Sequence, residues 1–344
     1  MGKSVTFAVA GSGKTTRLIS ELDLERRALI LTFTENNESE IRRRVCAKFG
    51  FIPDNITVQT YFSFLNRFCY RPLLLPSMRS TGITFNRPSA LASRQPATST
   101  KRYLDGHGRI YHARMARALQ VMGNLDALRS RLARYYDRLL VDEVQDFGGH
   151  DFNLLMDLVK AEMDVLLVGD FFQYTYSTSN DGPVNRNLHT TFEAYRARFA
   201  AAGLAIDMES LKTSRRCSDS VCAYVRDRLG VEIHSEHGTV SEVRSVDDPA
   251  EINALLSRSD AVKLFLKEHD RYHCTSMNWG ASKGVDHFVD VCVVLGKDTW
   301  KQHQSGVFLD LKPITRNKLY VACTRARQNL YFVPEKALSA YRRA

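Results

Sequence analysis

Short apolar runs recur along the chain at Val5 to Val9, Ala28 to Phe33, Leu139 to Val141, Val165 to Val168, Ala205 to Met208, Val289 to Leu295, Tyr320 to Cys323 and Leu330 to Val333. Each has the length of a strand, and helical spacing fills many of the intervals. Alternation of this kind predicts α/β architecture with mainly parallel, buried sheets. The order breaks from about Pro72 to Thr100, where Ser, Pro, Thr and Arg predict a long irregular excursion. After the Asp105-Gly106-His107-Gly108 turn two amphipathic helices are expected, the second following Asn124 with Leu125, Leu128, Leu132 and Tyr135 on one face. Residues 71–135 therefore read as a small, mainly helical insertion in a first α/β domain. The phenylalanines at 62, 64 and 68 have the spacing of a buried helix face.

Length and composition admit two or three compact units, with 344 residues, 44% hydrophobic and 25% charged. No apolar run approaches a membrane span and no charged-then-apolar leader is evident, so a cytoplasmic protein without a membrane partner is expected. The seven cysteines form no C-x-x-C pair, and several lie in runs such as Val291-Cys292-Val293, which predicts reduced, buried thiols. His269, His273 and Cys274 are spaced like metal ligands, but no second cysteine or carboxylate pair completes a site.

Charge changes the picture more. Between Arg71 and Tyr135 twelve basic residues face two acids, so the insertion alone carries +10, which equals the formal net charge of the whole chain. Charge concentrated in this way favours a polyanion partner, with Arg114, Arg117, Arg129 and Arg131 as candidate phosphate grips; a solvated arginine-rich surface is the competing reading.

Three stations carry candidate chemistry. Ala8-Val9-Ala10-Gly11-Ser12-Gly13-Lys14-Thr15 follows the first strand and precedes Thr16-Arg17-Leu18-Ile19. Strand, glycine turn and helix start, in that order, aim backbone N–H groups at phosphates, while Lys14 supplies a point charge and Thr15 a hydroxyl for Mg²⁺. The full phosphate-loop pattern has glycine where this chain has Ala8. Arg138-Leu139-Leu140-Val141-Asp142-Glu143-Val144-Gln145-Asp146 is an apolar strand ending in carboxylates. Asp142 suits the Mg²⁺ shell and Glu143 suits orienting or deprotonating water. The next strand ends in Gly169-Asp170-Phe171-Phe172-Gln173, where Gln173 is placed to sense a γ-phosphate.

These segments, with Leu31-Thr32-Phe33-Thr34-Glu35-Asn36-Asn37, Thr60-Tyr61-Phe62-Ser63-Phe64, Leu211-Lys212-Thr213-Ser214-Arg215-Arg216-Cys217-Ser218, Ser282-Lys283-Gly284-Val285-Asp286 and Leu319 to Arg327, resemble in order the motifs of UvrD/Rep-like superfamily 1 helicases. The resemblance implies two RecA-like domains, one at 1–70 and 136–203 (1A), the other at 204–344 (2A), with 71–135 as a 1B-like insertion and ATP and Mg²⁺ between the two. It implies phosphate contacts from Ala10, Gly11, Ser12, Gly13, Lys14, Thr15 and Thr16, and arginine fingers at Arg216 and Arg325. Asp286 takes the place of a ribose contact, and Gly284 brings backbone close to the ligands. The single-strand track is expected at Phe33, Thr34, Tyr61, Ser63 and Tyr176.

Departures from the pattern shape the expectation. No glutamine segment precedes the turn, so Arg17 is expected to stack on the base, and Ser177-Thr178-Ser179 replaces an aromatic-Arg-Gly. Only sixty-six residues separate Arg216 from Lys283, which leaves no room for the large 2B accessory domain of bigger relatives. The implied activity is an ATP-dependent translocase or helicase on single-stranded DNA or a tailed duplex, moving 3′ to 5′, in repair or replication. Two other readings stay open. One is an RNA helicase, since Arg-Arg-Cys-Ser is also similar to viral superfamily 1 RNA helicases. The other is a nucleotide-gated switch that recruits a protein partner such as a nuclease.

Overall fold

A computed structural model describes residues 2–175, 181–306, 308 and 310–342. The chain divides into two compact units, the first at Met1–Thr6, Thr15–Gly169 and Ser177–Asp207, the second at Phe7–Lys14, Asp170–Tyr176 and Met208–Ala344.

In the first unit the strands run β1 (Lys3–Phe7), β2 (Ala28–Thr32), β3 (Ile56–Thr60), β4 (Gly82–Thr84), β5 (Arg109–Tyr111), β6 (Arg138–Val141), β7 (Asp164–Gly169) and β8 (Ala205–Asp207). Six of them form one sheet in the order β3-β2-β6-β7-β1-β8. β2 pairs in parallel with β3 and β6, β6 with β7, and β1 with β8. All five residues of β2 are buried, as a strand covered on both faces requires. Leu18 and Ile19 of the helix Lys14–Ser20, Leu22 just beyond it, and Ile41 and Val45 of the helix Glu35–Phe49 pack with Ile30, Val58, Leu140 and Val168. The hydroxyl of Thr34 caps that second helix by accepting from Asn37 N–H at 3.2 Å.

The insertion is more regular than the expected excursion over 72–100. The helix Tyr61–Phe64 runs directly into a π-helix over Leu65–Leu74, and β4 and β5 form a parallel pair. The helix Ala90–Arg94 is capped by Ser89, whose Oγ accepts from Ala92 N–H. Ser89 and Pro76 sit here at helix starts, and Pro72 lies inside the π-helix, rather than marking loops. The two helices expected after the glycine turn are Met115–Val121 and Leu125–Tyr135, with Leu128 and Leu132 fully buried. Tyr135 departs from that face. It is 47% exposed, and the Arg131 guanidinium lies over its ring as well as over Phe68.

In the second unit β9 (Thr213–Ser214) and β10 (His234–Ser235) make a short parallel pair, and β11 (Val243–Ser245), β12 (Ala261–Phe265), β13 (Ser276–Asn278), β14 (Asp290–Leu295) and β15 (Leu330–Pro334) form a parallel sheet in the order β11-β15-β14-β12-β13. β12 carries Lys263 at its centre, fully buried, with its ammonium donating to the Arg258 carbonyl, which hid this strand from an apolar-run reading.

The expected strand at Tyr320 to Cys323 is the end of a helix, Pro313–Cys323. Its residues from Leu319 to Cys323 are buried, and Leu319, Tyr320, Ala322 and Cys323 share a core with Val291, Val293, Leu295 and Phe332. A helical stretch buried on every side, as Leu319 to Cys323 is, shows no periodicity, and a short apolar run is then ambiguous.

All seven cysteines are free; five are buried, but Cys46 is exposed. Among the described residues no three His, Cys, Asp or Glu side chains cluster as metal ligands, and no helix is long and apolar enough to cross a membrane.

Candidate nucleotide site

In the first unit β6 delivers two carboxylates. Its four residues are buried, and Asp142 follows at the strand end, also buried. Thr15, near the start of the helix Lys14–Ser20, donates its hydroxyl to Asp142 Oδ2 at 3.0 Å. A hydroxyl and a buried carboxylate in contact are hard oxygen donors of the kind Mg²⁺ takes, so the pair fits that ion. Mg²⁺ bound there would draw charge from phosphate oxygens. Glu143 comes next with φ +54°, one of four non-glycine residues with positive φ in the described backbone. Its Oε2 accepts from Gln145 Nε2. β7 makes room for this turn: a Cβ on Gly169 would stand 2.4 Å from Gln145 Oε1 and 2.7 Å from Val144 Cγ1.

In the second unit the glycine turn is built against the Leu211 to Ser218 segment. Val9 N–H donates to Leu211 O at 3.0 Å, and Arg215 N–H to Gly11 O at 2.9 Å. Gly11 and Gly13 have φ of +73° and +91°. A Cβ on Gly11 would lie 2.7 Å from Arg216 Cβ and 2.8 Å from Ser214 Oγ, so only glycine fits both the dihedral and the space. Lys14, at the end of the turn, is buried.

Both candidate arginine fingers meet one carboxylate. Arg216 Nη2 lies 2.5 Å and Arg325 Nη1 3.2 Å from Asp286 Oδ1. Arg216 also donates to Thr324 O at 3.3 Å. Arg325 is 1% exposed and donates to Val321 O and Val285 O, each at 3.2 Å. Burial, with the Arg216 charge beside it, pushes the Arg325 guanidinium down to about 10, and Asp286 works in the opposite direction. Asp286, expected at a ribose, is thus the shared partner of two guanidinium groups. Gly284 keeps a left-handed φ of +83°.

Sequence reasoning missed Tyr320. Its hydroxyl accepts from Ala10 N–H in the glycine turn at 2.8 Å and donates to Asp170 Oδ2 at 2.9 Å. The same oxygen of Asp170 accepts from Gln173 Nε2 at 2.9 Å. The turn and the candidate sensor are therefore joined through one buried phenol, whose own ionisation burial and Asp170 suppress. The only signal was a tyrosine inside an apolar run next to Thr324-Arg325. Tyr320→Phe is expected to cost about 1–3 kcal/mol by stranding the buried Ala10 N–H, while Asp170 Oδ2 keeps Gln173. Urea unfolding measures this, and an unchanged stability would show that the link carries no load.

The remaining expected residues divide. Arg17 pairs with Glu21 at 2.9 Å, and Thr16 Oγ1 accepts from Arg44 at 3.1 Å. Phe33 is half-buried against Tyr61 and Phe147, and Ser63 is half-buried with its hydroxyl 3.0 Å from that of Thr60. Tyr61 does not offer a free ring: it is buried, with its hydroxyl on Asp151 at 3.2 Å. Burial pushes the Asp151 carboxyl up to about 7, and the Tyr61 hydroxyl opposes it.

Arg114 does not face solvent either. It is 2% exposed and ion-paired to Asp181 at 3.0 Å, with further bonds to Arg102 O and Ser93 Oγ. Arg117 is half-buried. Phe62, expected in the core with Phe64 and Phe68, is instead at the surface, while the other two are buried. Tyr176 lies outside the described residues.

Residues 117–334 match the model of the viral superfamily 1 RNA helicase core domain, and residues 3–179 match that of an AAA domain. No curated protein sequence matches the chain. Among solved structures, the arterivirus nonstructural protein 10 helicase in complex with DNA is 16% identical, with 98% of this chain and 63% of that one covered at a TM-score of 0.50. A crystal structure of the same arterivirus helicase gives 15% identity, 96% and 59% coverage and a TM-score of 0.49. The PRRSV helicase gives 16%, 97% and 52%, and 0.47. The chain thus spans about three-fifths of the length of the first of these, and at such identity the likeness is one of fold. That fold is α/β with parallel sheets, of the phosphate-loop helicase kind. With each family model covering more than half of its length, the chain belongs to the superfamily 1 helicases, in the viral superfamily 1 RNA helicase core-domain family.

Proposed function

We propose that this protein is an ATP-driven motor on single-stranded nucleic acid. Ala10 to Lys14 hold the phosphates, Thr15 and Asp142 hold Mg²⁺, Glu143 takes the proton of the attacking water, and Arg216 and Arg325 supply charge to the transition state. The observation that carries this reading is the packing of Arg216 Cβ on Gly11 of the phosphate turn. An arginine built against a glycine turn is placed for a γ-phosphate, whereas a surface salt bridge would not need the glycine. The domain layout in this proposal is the RecA-like pair with a basic 1B-like insertion at 71–135.

The finer assignment follows the UvrD/Rep-type order of motifs, which favours DNA and 3′ to 5′ movement. RNA is the second reading, and the matched family's description favours it. Steady-state ATP hydrolysis with poly-dT, with poly-U and with neither separates the cases. Stimulation led by poly-dT supports the DNA motor, and stimulation led by poly-U moves the assignment to RNA. A rate indifferent to both polymers sinks the motor reading.

A further inference from the structure

The first unit carries a row of rings on its surface. Phe62 is in the first turn of the helix Tyr61–Phe64 that continues as the π-helix, Phe85 follows β4, and His112 follows β5. Phe62 and Phe85 have ring centroids 5.3 Å apart, and Phe85 and His112 4.9 Å apart. Phe85 is 65% exposed and Phe62 36%, so the middle ring of the row is the most open. The His112 ring is fixed by Nδ1, 3.3 Å from Thr84 O. Two phenylalanines at the surface, in contact with each other and with an imidazole, leave apolar faces in water that a folded chain ordinarily covers.

The surroundings name the ligand's charge. Arg67 and Arg71 follow Phe62 at spacings of five and four residues, about one turn each of a π-helix. Arg87 is two residues beyond Phe85. All three are exposed, and none has an ion-pair partner among the described residues. Rings that stack combined with unpaired cations make a surface for bases and phosphates together, the combination that holds single strands without regard to sequence.

We infer that Phe62, Phe85 and His112 form a stacking platform for the bases of single-stranded nucleic acid, with Arg67, Arg71 and Arg87 taking its phosphates. This inference rests on the motor reading above and adds to it a binding surface at the junction of the first sheet and the basic insertion, on residues other than the expected Phe33, Tyr61 and Tyr176.

Equilibrium binding of fluorescein-labelled dT and rU oligonucleotides, measured over a range of salt on the full chain, tests it. Phe85→Ala is expected to weaken binding about 5- to 150-fold, the worth of one stacked base. The slope of log affinity against log salt should stay as in wild type, because a ring releases no counterions. Phe85→Trp should bind at least as well as wild type, and Arg67→Gln with Arg71→Gln and Arg87→Gln should flatten the slope.

Wild-type affinity in Phe85→Ala overturns the platform while leaving the motor intact, provided wild type binds and its ATPase responds to a polymer. Equal losses in Phe85→Ala and Phe85→Trp overturn it as well, since stacking would then not be the cause. A wild type that binds neither oligonucleotide removes both readings. Unchanged binding in Phe85→Ala together with a shift in sedimentation would assign the rings to contact between copies of this chain, and that too refutes the platform.

Discussion

Glu143→Gln is expected to lower ATP turnover by about 10²- to 10⁴-fold, the usual contribution of a positioned general base, while nucleotide binding survives. The expectation begins in the backbone. β6 is buried along its whole length, and the chain leaves it through Asp142 into a left-handed residue at Glu143 with φ +54°. A side chain held in that region costs about 1–3 kcal/mol, and such strain persists where surrounding structure enforces it. Here the enforcement is visible: Gln145 holds the Glu143 carboxylate, and Gly169 of the adjoining strand gives Gln145 its space.

Glutamine keeps the length and shape of the side chain and leaves Asp142 on Thr15, but it cannot accept a proton from water. Rate measured with and without poly-dT, beside titration with a fluorescent ATP analogue, separates the steps. An unchanged rate would take the base role from Glu143. A loss of affinity equal to the loss of rate would place its carboxylate in the phosphate and Mg²⁺ cradle instead.

The parts of the site that could be read from the sequence are those whose chemistry is local. A glycine turn between strand and helix, and carboxylates at the end of an apolar strand, need only neighbours in the chain, so Gly11, Lys14, Thr15, Asp142 and Glu143 stood out at once. Tyr320 did not, because its meaning lies in two partners about 150 and 310 positions away, Asp170 and Ala10. The same limit turned the end of the helix Pro313–Cys323 into a strand, since burial on all sides over Leu319 to Cys323 erases the 3.6-residue period.

Surface and core were confused in both directions within the insertion. Arg114 counted as free charge, yet Asp181, far outside the basic segment, neutralises it in a buried pair. Phe62 was grouped with Phe64 and Phe68, but two residues on an α-helix stand about 200° apart, so Phe62 and Phe64 of the helix Tyr61–Phe64 face opposite ways, whereas Phe64 and Phe68, four apart, stack with ring centroids 5.4 Å apart. The net charge marks the segment expected to meet a polyanion without saying which of its cations are exposed.

Arg216→Ala and Arg325→Ala are both expected to cut turnover, by about 10³- to 10⁵-fold where the lost group is an arginine finger, but they should differ in stability. Arg325 is held by Val321 O, Val285 O and Asp286 and is almost without solvent contact. Its truncation strands Val285 O, while Val321 O keeps the Thr324 hydroxyl at 3.2 Å, and it opens a cavity, a loss of about 1–3 kcal/mol for the unmet polar group before packing is counted. Arg216 is more open, and its partners are one carbonyl and the half-exposed Asp286, which water can solvate. Arg216→Ala should therefore unfold in urea close to wild type while failing to hydrolyse ATP.

The shared carboxylate adds a second consequence. Each guanidinium competes for Asp286 Oδ1, and Arg216 disfavours the charge on Arg325, so an incoming phosphate that draws Arg216 away leaves Asp286 wholly to Arg325. On the proposed assignment, removing Arg216 would cost the transition state a charge that can move, and removing Arg325 would also cost the wall that steadies it. Turnover and urea midpoints measured on the same preparations decide the matter. Wild-type turnover in Arg216→Ala would refute the finger assignment, and equal unfolding losses in the two variants would refute the division of labour between a mobile and a fixed arginine.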